Sequence, residues 1–279
     1  MTPQTEAPAL VTTGLPASLT RIGAMVRRHW YLLAGSWPRI FDLVYWPTVQ
    51  MLLWGFIQTY LQGQQSGASH ILGALLGAAM LWDVFFRSQV SLSVAFLEEI
   101  WSRNLGHLMV SPLRPHELLF SLITVSFMRT VIGLTAASLV ALFLFHFAIT
   151  KFGIALVPFF FCLALFGWSL GIAVAGVVLR FGMGAEMLAW VLVAGFAPLC
   201  AVYYPIAALP SWIRWAAELL PPSYIFEGMR AILAGEGFRL DLFGRAIGLD
   251  LAYAIGASAL FLYFLRAARQ RGTLIQLGE

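Results

Sequence analysis

Six apolar stretches divide this chain, at about 39–61, 71–95, 118–147, 152–179, 185–204 and 244–265. Each approaches or exceeds the roughly 20 residues that carry an α-helix across the hydrocarbon core of a bilayer. Backbone inside lipid must satisfy its own hydrogen bonds, so a chain built this way folds as a bundle of membrane helices. Charge content agrees: 11% of residues are charged, against about 25% in soluble domains. The expected fold class is an all-α polytopic membrane protein with six transmembrane helices.

An even number of spans places both termini on one side. Arg21, Arg27, Arg28, Arg39, Arg103, Arg114, Arg180, Arg266, Arg269 and Arg271 then share that side. On the other side, Lys151, Arg214, Arg230, Arg239 and Arg245 are largely offset by Glu218, Glu227, Glu236 and Asp241. The positive-inside rule makes the arginine-rich side, with both termini, cytoplasmic. The net charge of +4 therefore reads as topology, with no nucleic-acid partner implied.

Residues 1–18 are rich in Pro, Thr and Ala and lack the basic start of a signal peptide. They read as a disordered cytoplasmic tail. Residues 19–37 mix arginines with Ile22, Met25, Trp30, Leu32 and Leu33, the pattern of a helix lying in the membrane surface. Pro38 suits the first turn of the next helix. The external connector, about 205–243, holds two short patterns, Ser211–Leu220 and Ser223–Ala234, with serine as expected N-cap and Gly235 as the stop. Both are apolar and too short to span, so they are expected to be re-entrant in the outer leaflet.

Several chemistries are excluded or weakened. A P-loop needs a lysine after its glycines; the one lysine, Lys151, lies in FAITKFG. Any ATP-driven work would need an ATPase on another chain. Cys162 and Cys200 read as free core thiols, and no metal-ligand set stands out. GWSLG at 167–171 fits G-x-S-x-G, but in a membrane helix and not at a strand–turn–helix elbow. Gly167, Gly171 and Ala175 read as a small-residue packing groove, as do Gly73 and Gly77. An intramembrane hydrolase would use Ser169, with His146 as a poor partner. A secondary transporter would show inverted repeats, and no repeat is evident.

Asp83 and Arg87 lie four residues apart in the second stretch, and Arg129 lies inside the third. Both arginines sit about 17 Å from the cytoplasmic helix ends, so the three charges could meet near mid-membrane. Such a cluster either fixes helix packing or lines a polar path for a substrate head group. Trp54 and Trp82 are deep enough to join that path. Asp42, Glu186 and Asp250 also border or enter spans, with no role assigned. Glu227 and Arg230 read as a local pair. Trp37, Trp46, Tyr60, Tyr203 and Tyr204 read as interfacial anchors.

Between the second and third stretches runs FLEEIWSRNLGHLMVSPLRPHELLF. Its spacing predicts one short amphipathic helix at about 97–110, with Ile100, Trp101, Leu105, Leu108 and Met109 on one side and Glu98, Glu99, Arg103 and Asn104 elsewhere. Ser111-Pro112 ends it, and Pro115 opens the next helix with Glu117 in its first turn.

From Glu99 to Leu113 the chain reads E-x-x-x-R-N-L-x-x-L-x-x-S-P-L, which resembles the signature of the membrane subunits of ABC-2 type exporters. The external run from Tyr204 to Trp212, then Leu220-Pro221-Pro222-Ser223-Tyr224 and Glu227-x-x-Arg230, resembles the same family, as does the tail RGTLIQLGE. The resemblance covers about residues 20–279. One departure is that Ile100, Trp101 and Ser102 stand where Arg-Gly-Thr is common. The resemblance implies a homodimer in membrane lipid, with two copies of a cytoplasmic ABC ATPase that bind ATP and Mg. This chain would then hold no cofactor and no catalytic residue. It implies that Glu98, Glu99, Ile100, Trp101 and Arg103, with Leu105, Leu108, Ser111 and Pro112, couple to the ATPase. It assigns a substrate route on which Trp54, Trp82, Asp83, Arg87 and Arg129 are possible lining or gate residues. The substrates it implies are amphipathic: lipid-linked glycans, lipids or hydrophobic drugs.

Overall fold

The computed structural model describes residues 14–64, 69–148 and 153–271. These residues form helices α1 (Leu15–Ala34), α2 (Trp37–Gln64), α3 (Ser69–Trp101), α4 (Leu105–Val110), α5 (Pro115–Phe145) and α6 (Leu156–Phe181). The series continues with α7 (Leu188–Leu199), α8 (Ser211–Glu218), α9 (Pro221–Leu233) and α10 (Leu240–Arg271). No strand occurs among the described residues. Among the described residues, four helical segments are long and apolar enough to cross a membrane: Trp37–Leu61, Pro115–Phe145, Gly153–Phe181 and Leu240–Arg271.

Helices α3 and α6 form the centre. Leu76 and the run Ala78–Phe85 of α3 are buried throughout. Gly167 and Gly171 of α6 lie against α3. A Cβ on Gly167 would stand 2.8 Å from the Phe85 carbonyl oxygen, and one on Gly171 would stand 3.1 Å from that of Gln89. Gly176 admits α10 in the same way, 3.1 Å from the Phe261 Cα. The small-residue stripe is thus a packing groove on both flanks of α6. Ser169 donates its hydroxyl to the Leu165 carbonyl of its own helix at 2.7 Å, while His146 closes the end of α5 in the left-handed region. Trp168 Nε1 of α6 donates to Ser126 Oγ of α5 at 3.1 Å, and Ser126 donates to the Ser88 carbonyl of α3 at 2.9 Å. That chain ties three helices at one level, where apolar attraction between helices is weak. Cys162 and Cys200 are free and buried, and the Cys162 thiol donates to Asp250 at 2.6 Å.

Four expectations are corrected. The apolar stretch 185–204 is not one helix. A 3-10 turn covers Met183–Ala185, α7 has only 12 residues, and Cys200–Pro205 is irregular with Ala201 at φ 49°. At about 1.5 Å per residue α7 is about 18 Å long, short of a hydrocarbon core of about 30 Å. Pro198 removes one donor inside α7, and Ala201 at positive φ turns the chain just past its end. The helix expected at 97–110 is also broken. Its first residues end α3, Arg103 turns the chain at φ 52°, and α4 begins at Leu105. Serine does not cap the external pair: Pro210 and Leu220 hold the N-cap positions, and Ser211 and Ser223 lie inside the helices. Finally, α1 starts at Leu15 with Pro16 in its first turn, so residues 15–18 are helical; residues 1–13 of the expected tail lie outside the described residues. The motif RGTLIQLGE also lies outside them beyond Arg271.

Candidate functional site

Helices α2 and α7 both flank α3, and the space between them is a cavity of about 740 Å³. Asp83, Phe86, Arg87, Val90 and Val94 of α3 form its floor. Trp46 of α2, Trp190 of α7 and Arg129 of α5 also line it. Arg39, Glu98 and Trp101 close the end nearest the C-terminus of α3.

Arg87 Nε donates to Asp83 at 2.7 Å, one helical turn away on the same face. Its Nη1 donates to the main-chain carbonyl of Leu43 in α2 at 3.2 Å. Gly133 of α5 makes room for the guanidinium: a Cβ there would stand 2.5 Å from Arg87 Nε. Arg129 Nη2 reaches Glu98 at 3.3 Å, and Arg39 Nη1 lies 3.6 Å from the same carboxylate. Asp83, Arg87 and Arg129 therefore line one cavity, but Arg129 pairs with Glu98 and not with Asp83. A long arginine bridges a separation along α3 that helix-depth arithmetic does not see. Trp54 and Trp82 do not line this cavity. Trp82 packs on Phe85 at 4.9 Å inside the core, and Trp54 stacks on Tyr203 at 4.2 Å.

The second site is where α1 meets the ends of α3 and α5. Met25, His29 and Leu33 form the buried stripe of α1. Glu99, only 1% exposed, accepts from Arg28 and, at 2.7 Å, from Asn104 Nδ2; His29 Nε2 lies 3.3 Å from it. Glu117 takes Arg21 in a two-pronged pair, at 2.9 Å from Nε and 2.6 Å from Nη2, and accepts the Arg114 N–H at 2.9 Å. The hydrogen bond to Glu117 holds the Arg21 guanidinium above its usual range. These two acids pin the amphipathic helix to the bundle.

The residues expected to couple to a partner divide. Glu99, Ile100 and Leu105 are buried. Glu98, Leu108 and Ser111 are half-buried, with the Ser111 hydroxyl on the Leu108 carbonyl at 2.6 Å. Trp101, Arg103 and Pro112 are exposed, and Trp101 Nε1 reaches Glu186 at 3.3 Å. His107 and Val110, which the sequence pattern did not single out, are exposed beside them on α4, the latter at 90%. Their alternation with buried Leu105 and half-buried Leu108 is the signal that could have found them.

On the opposite side, Glu227 accepts the Ile206 N–H at 2.7 Å and pairs with Arg230 at 3.3 Å. Arg230 Nη1 donates to the Ala201 carbonyl at 3.1 Å. The Tyr204 hydroxyl closes back on the Pro198 carbonyl. The local pair read from sequence also clamps the irregular turn after α7.

The described helices thus combine four apolar segments long enough to cross a membrane with a charged cavity on α3 and an amphipathic α1 pinned to the bundle. The family model for ABC-2 type transporters matches residues 20–234, so the chain belongs to the ABC-2 type transporter family. The match takes in the Glu99–Leu113 signature, the cavity and the Glu227–Arg230 clamp. No curated protein matches the chain.

Proposed function

We propose that this permease exports an amphipathic substrate from a bacterial inner membrane as a homodimer driven by two cytoplasmic ATPase subunits. Each copy crosses the bilayer six times with both termini inside; α3 and the short α7 with its following turn supply the two spans beyond the four apolar helices. The observation that carries the substrate reading is the cavity between α2 and α7, which sets tryptophan walls against a floor bearing Asp83 and Arg87. An amphipathic molecule matches both surfaces, with tail toward lipid and head toward α3. The ATPase would seat on the exposed residues around α4, namely Trp101, Arg103, His107 and Val110. Glu99 would act one step behind that surface by holding α1 in place. ATP would drive transport by favouring one arrangement of the two copies over the other.

Purification of the tagged chain from its native membrane in mild detergent tests the reading. A P-loop ATPase eluting near 1:1 is expected. A lone protein that keeps full transport activity overturns it.

A further inference from the structure

Glu186, to which the sequence assigns no role, sits in the turn between α6 and α7. Gly182, at φ 77°, ends α6, and the 3-10 turn Met183–Ala185 leads into Glu186. The Glu186 carbonyl then accepts the Ala189 N–H at 2.9 Å, in the first turn of α7. The Glu186 side chain is therefore carried by α7. That helix is thinly held. Ala189 and Val193 are its buried residues. A glycine at positive φ forms a backbone joint before it, and the irregular Cys200–Pro205 follows it.

Trp101 reaches the same turn from α3. It is the last residue of that helix, two positions before the Arg103 turn that leads into α4. Its Nε1 donates to Glu186 at 3.3 Å. Among the described residues, this is the one side-chain hydrogen bond from 182–199 to another helix. The indole is 53% exposed, and it lines the cavity together with Trp190 of α7. An interfacial anchor needs only lipid head groups around it. Here the N–H is spent on a carboxylate at the base of a different helix. An indole turns on two χ angles alone, so its rigid ring passes on a displacement instead of absorbing it.

We infer that the Trp101–Glu186 hydrogen bond positions α7, and that a push on the surface around α4 reaches the cavity through it. The coupling half rests on the transporter reading above; the positioning of α7 stands on the geometry alone.

Amide exchange in the purified full chain tests the positioning. Glu186→Ala should speed exchange over residues 186–199 by roughly tenfold, the scale of one hydrogen bond to a charged group, and leave α6 unchanged. Glu186 is half-buried, so its loss leaves the core intact. Glu186→Gln keeps a carbonyl acceptor and should hold exchange near the original rate. Trp101→Phe keeps a ring, loses the N–H and should match Glu186→Ala, and the double variant should add nothing further. The complex with its co-purified ATPase tests the coupling, using a nitroxide attached through Val191→Cys at an exposed position of α7. Trapping with ATP and vanadate should change the label's spectrum, and should do so in Glu186→Gln. In Glu186→Ala the spectrum should stay unchanged while ATP hydrolysis continues.

Unchanged exchange in Glu186→Ala and Trp101→Phe overturns the positioning. Faster exchange with a full spectral response in Glu186→Ala makes the bond a local prop and overturns the coupling. Glu186→Gln behaving like Glu186→Ala assigns the effect to charge and overturns the hydrogen bond. A chain that brings no ATPase with it sinks the function proposal and the coupling together, and the exchange measurement then decides the positioning by itself.

Discussion

Arg87 donates to the Leu43 carbonyl at 3.2 Å, and Leu43 is the residue whose helical partner would be the N–H of residue 47. That residue is Pro47, inside α2, and proline has no N–H. An orphaned carbonyl at membrane depth costs several kcal/mol. Arg87, paired with Asp83, supplies the missing donor from the neighbouring helix. One residue thus joins the charge pair of α3 to the break in the hydrogen-bond ladder of α2.

The link predicts a coupled pair of substitutions. Arg87→Met leaves Asp83 a buried unpaired carboxylate and the Leu43 carbonyl open, and should cost about 3–5 kcal/mol of stability. Pro47→Ala restores an N–H to Leu43. In the Pro47→Ala background the cost of Arg87→Met should fall by about 1 kcal/mol, one net hydrogen bond. Unfolding midpoints of the four proteins in detergent measure this, and strict additivity would show that the carbonyl contact is idle.

Gly133 gives a second prediction about the same pair. Its absent side chain is the space that Arg87 Nε occupies, 2.5 Å from where a Cβ would stand. Gly133→Ala should push the guanidinium off Asp83 and destabilise by about 1–3 kcal/mol, the range for overpacking. Gly195→Ala in α7 meets nothing within 4 Å and should cost nothing. Equal melting shifts in the two variants would refute the steric reading.

Glu99 predicts an indirect route to coupling. It faces Arg28, His29 and Asn104 inside the molecule, not the surface. Glu99→Ala should free α1, so that amide exchange over residues 15–34 speeds up roughly tenfold or more while α6 stays protected. Val110→Arg, on the exposed face, should instead weaken ATPase binding and leave α1 protection unchanged. If Glu99→Ala weakens ATPase binding without loosening α1, the glutamate contacts the partner itself.

The sequence made much of this architecture legible, and the misses share a cause. Apolar length located α2, α5, α6 and α10 because bilayer thickness acts on composition alone. The same criterion ran the fifth stretch through to residue 204, since the residues after Leu199 are as apolar as those before. Periodicity likewise joined Glu98–Trp101 to Leu105–Val110, blind to the positive φ of Arg103. Asp83 and Arg87 were legible as a site because i and i+4 face one way. Glu98 with Arg129, Leu43 with Arg87, and Gly133 beneath the guanidinium were not, because each joins two helices whose relative rotation only packing sets.

The clamp made by Glu227 and Arg230 yields the last prediction. Glu227 and Arg230 each hold main chain of the turn after α7, through the Ile206 N–H and the Ala201 carbonyl. Removing either leaves its partner unpaired and a backbone group unbonded, so Glu227→Ala and Arg230→Ala should each cost about 1–3 kcal/mol. The double variant should cost less than their sum, because the second loss leaves no unmatched charge behind. Any effect should register as faster proteolysis in 200–210, ahead of global unfolding, since the clamp holds that turn and little else. Additive costs, or cleavage that appears only with global melting, would mean that the turn is held by α8 and α9 packing alone.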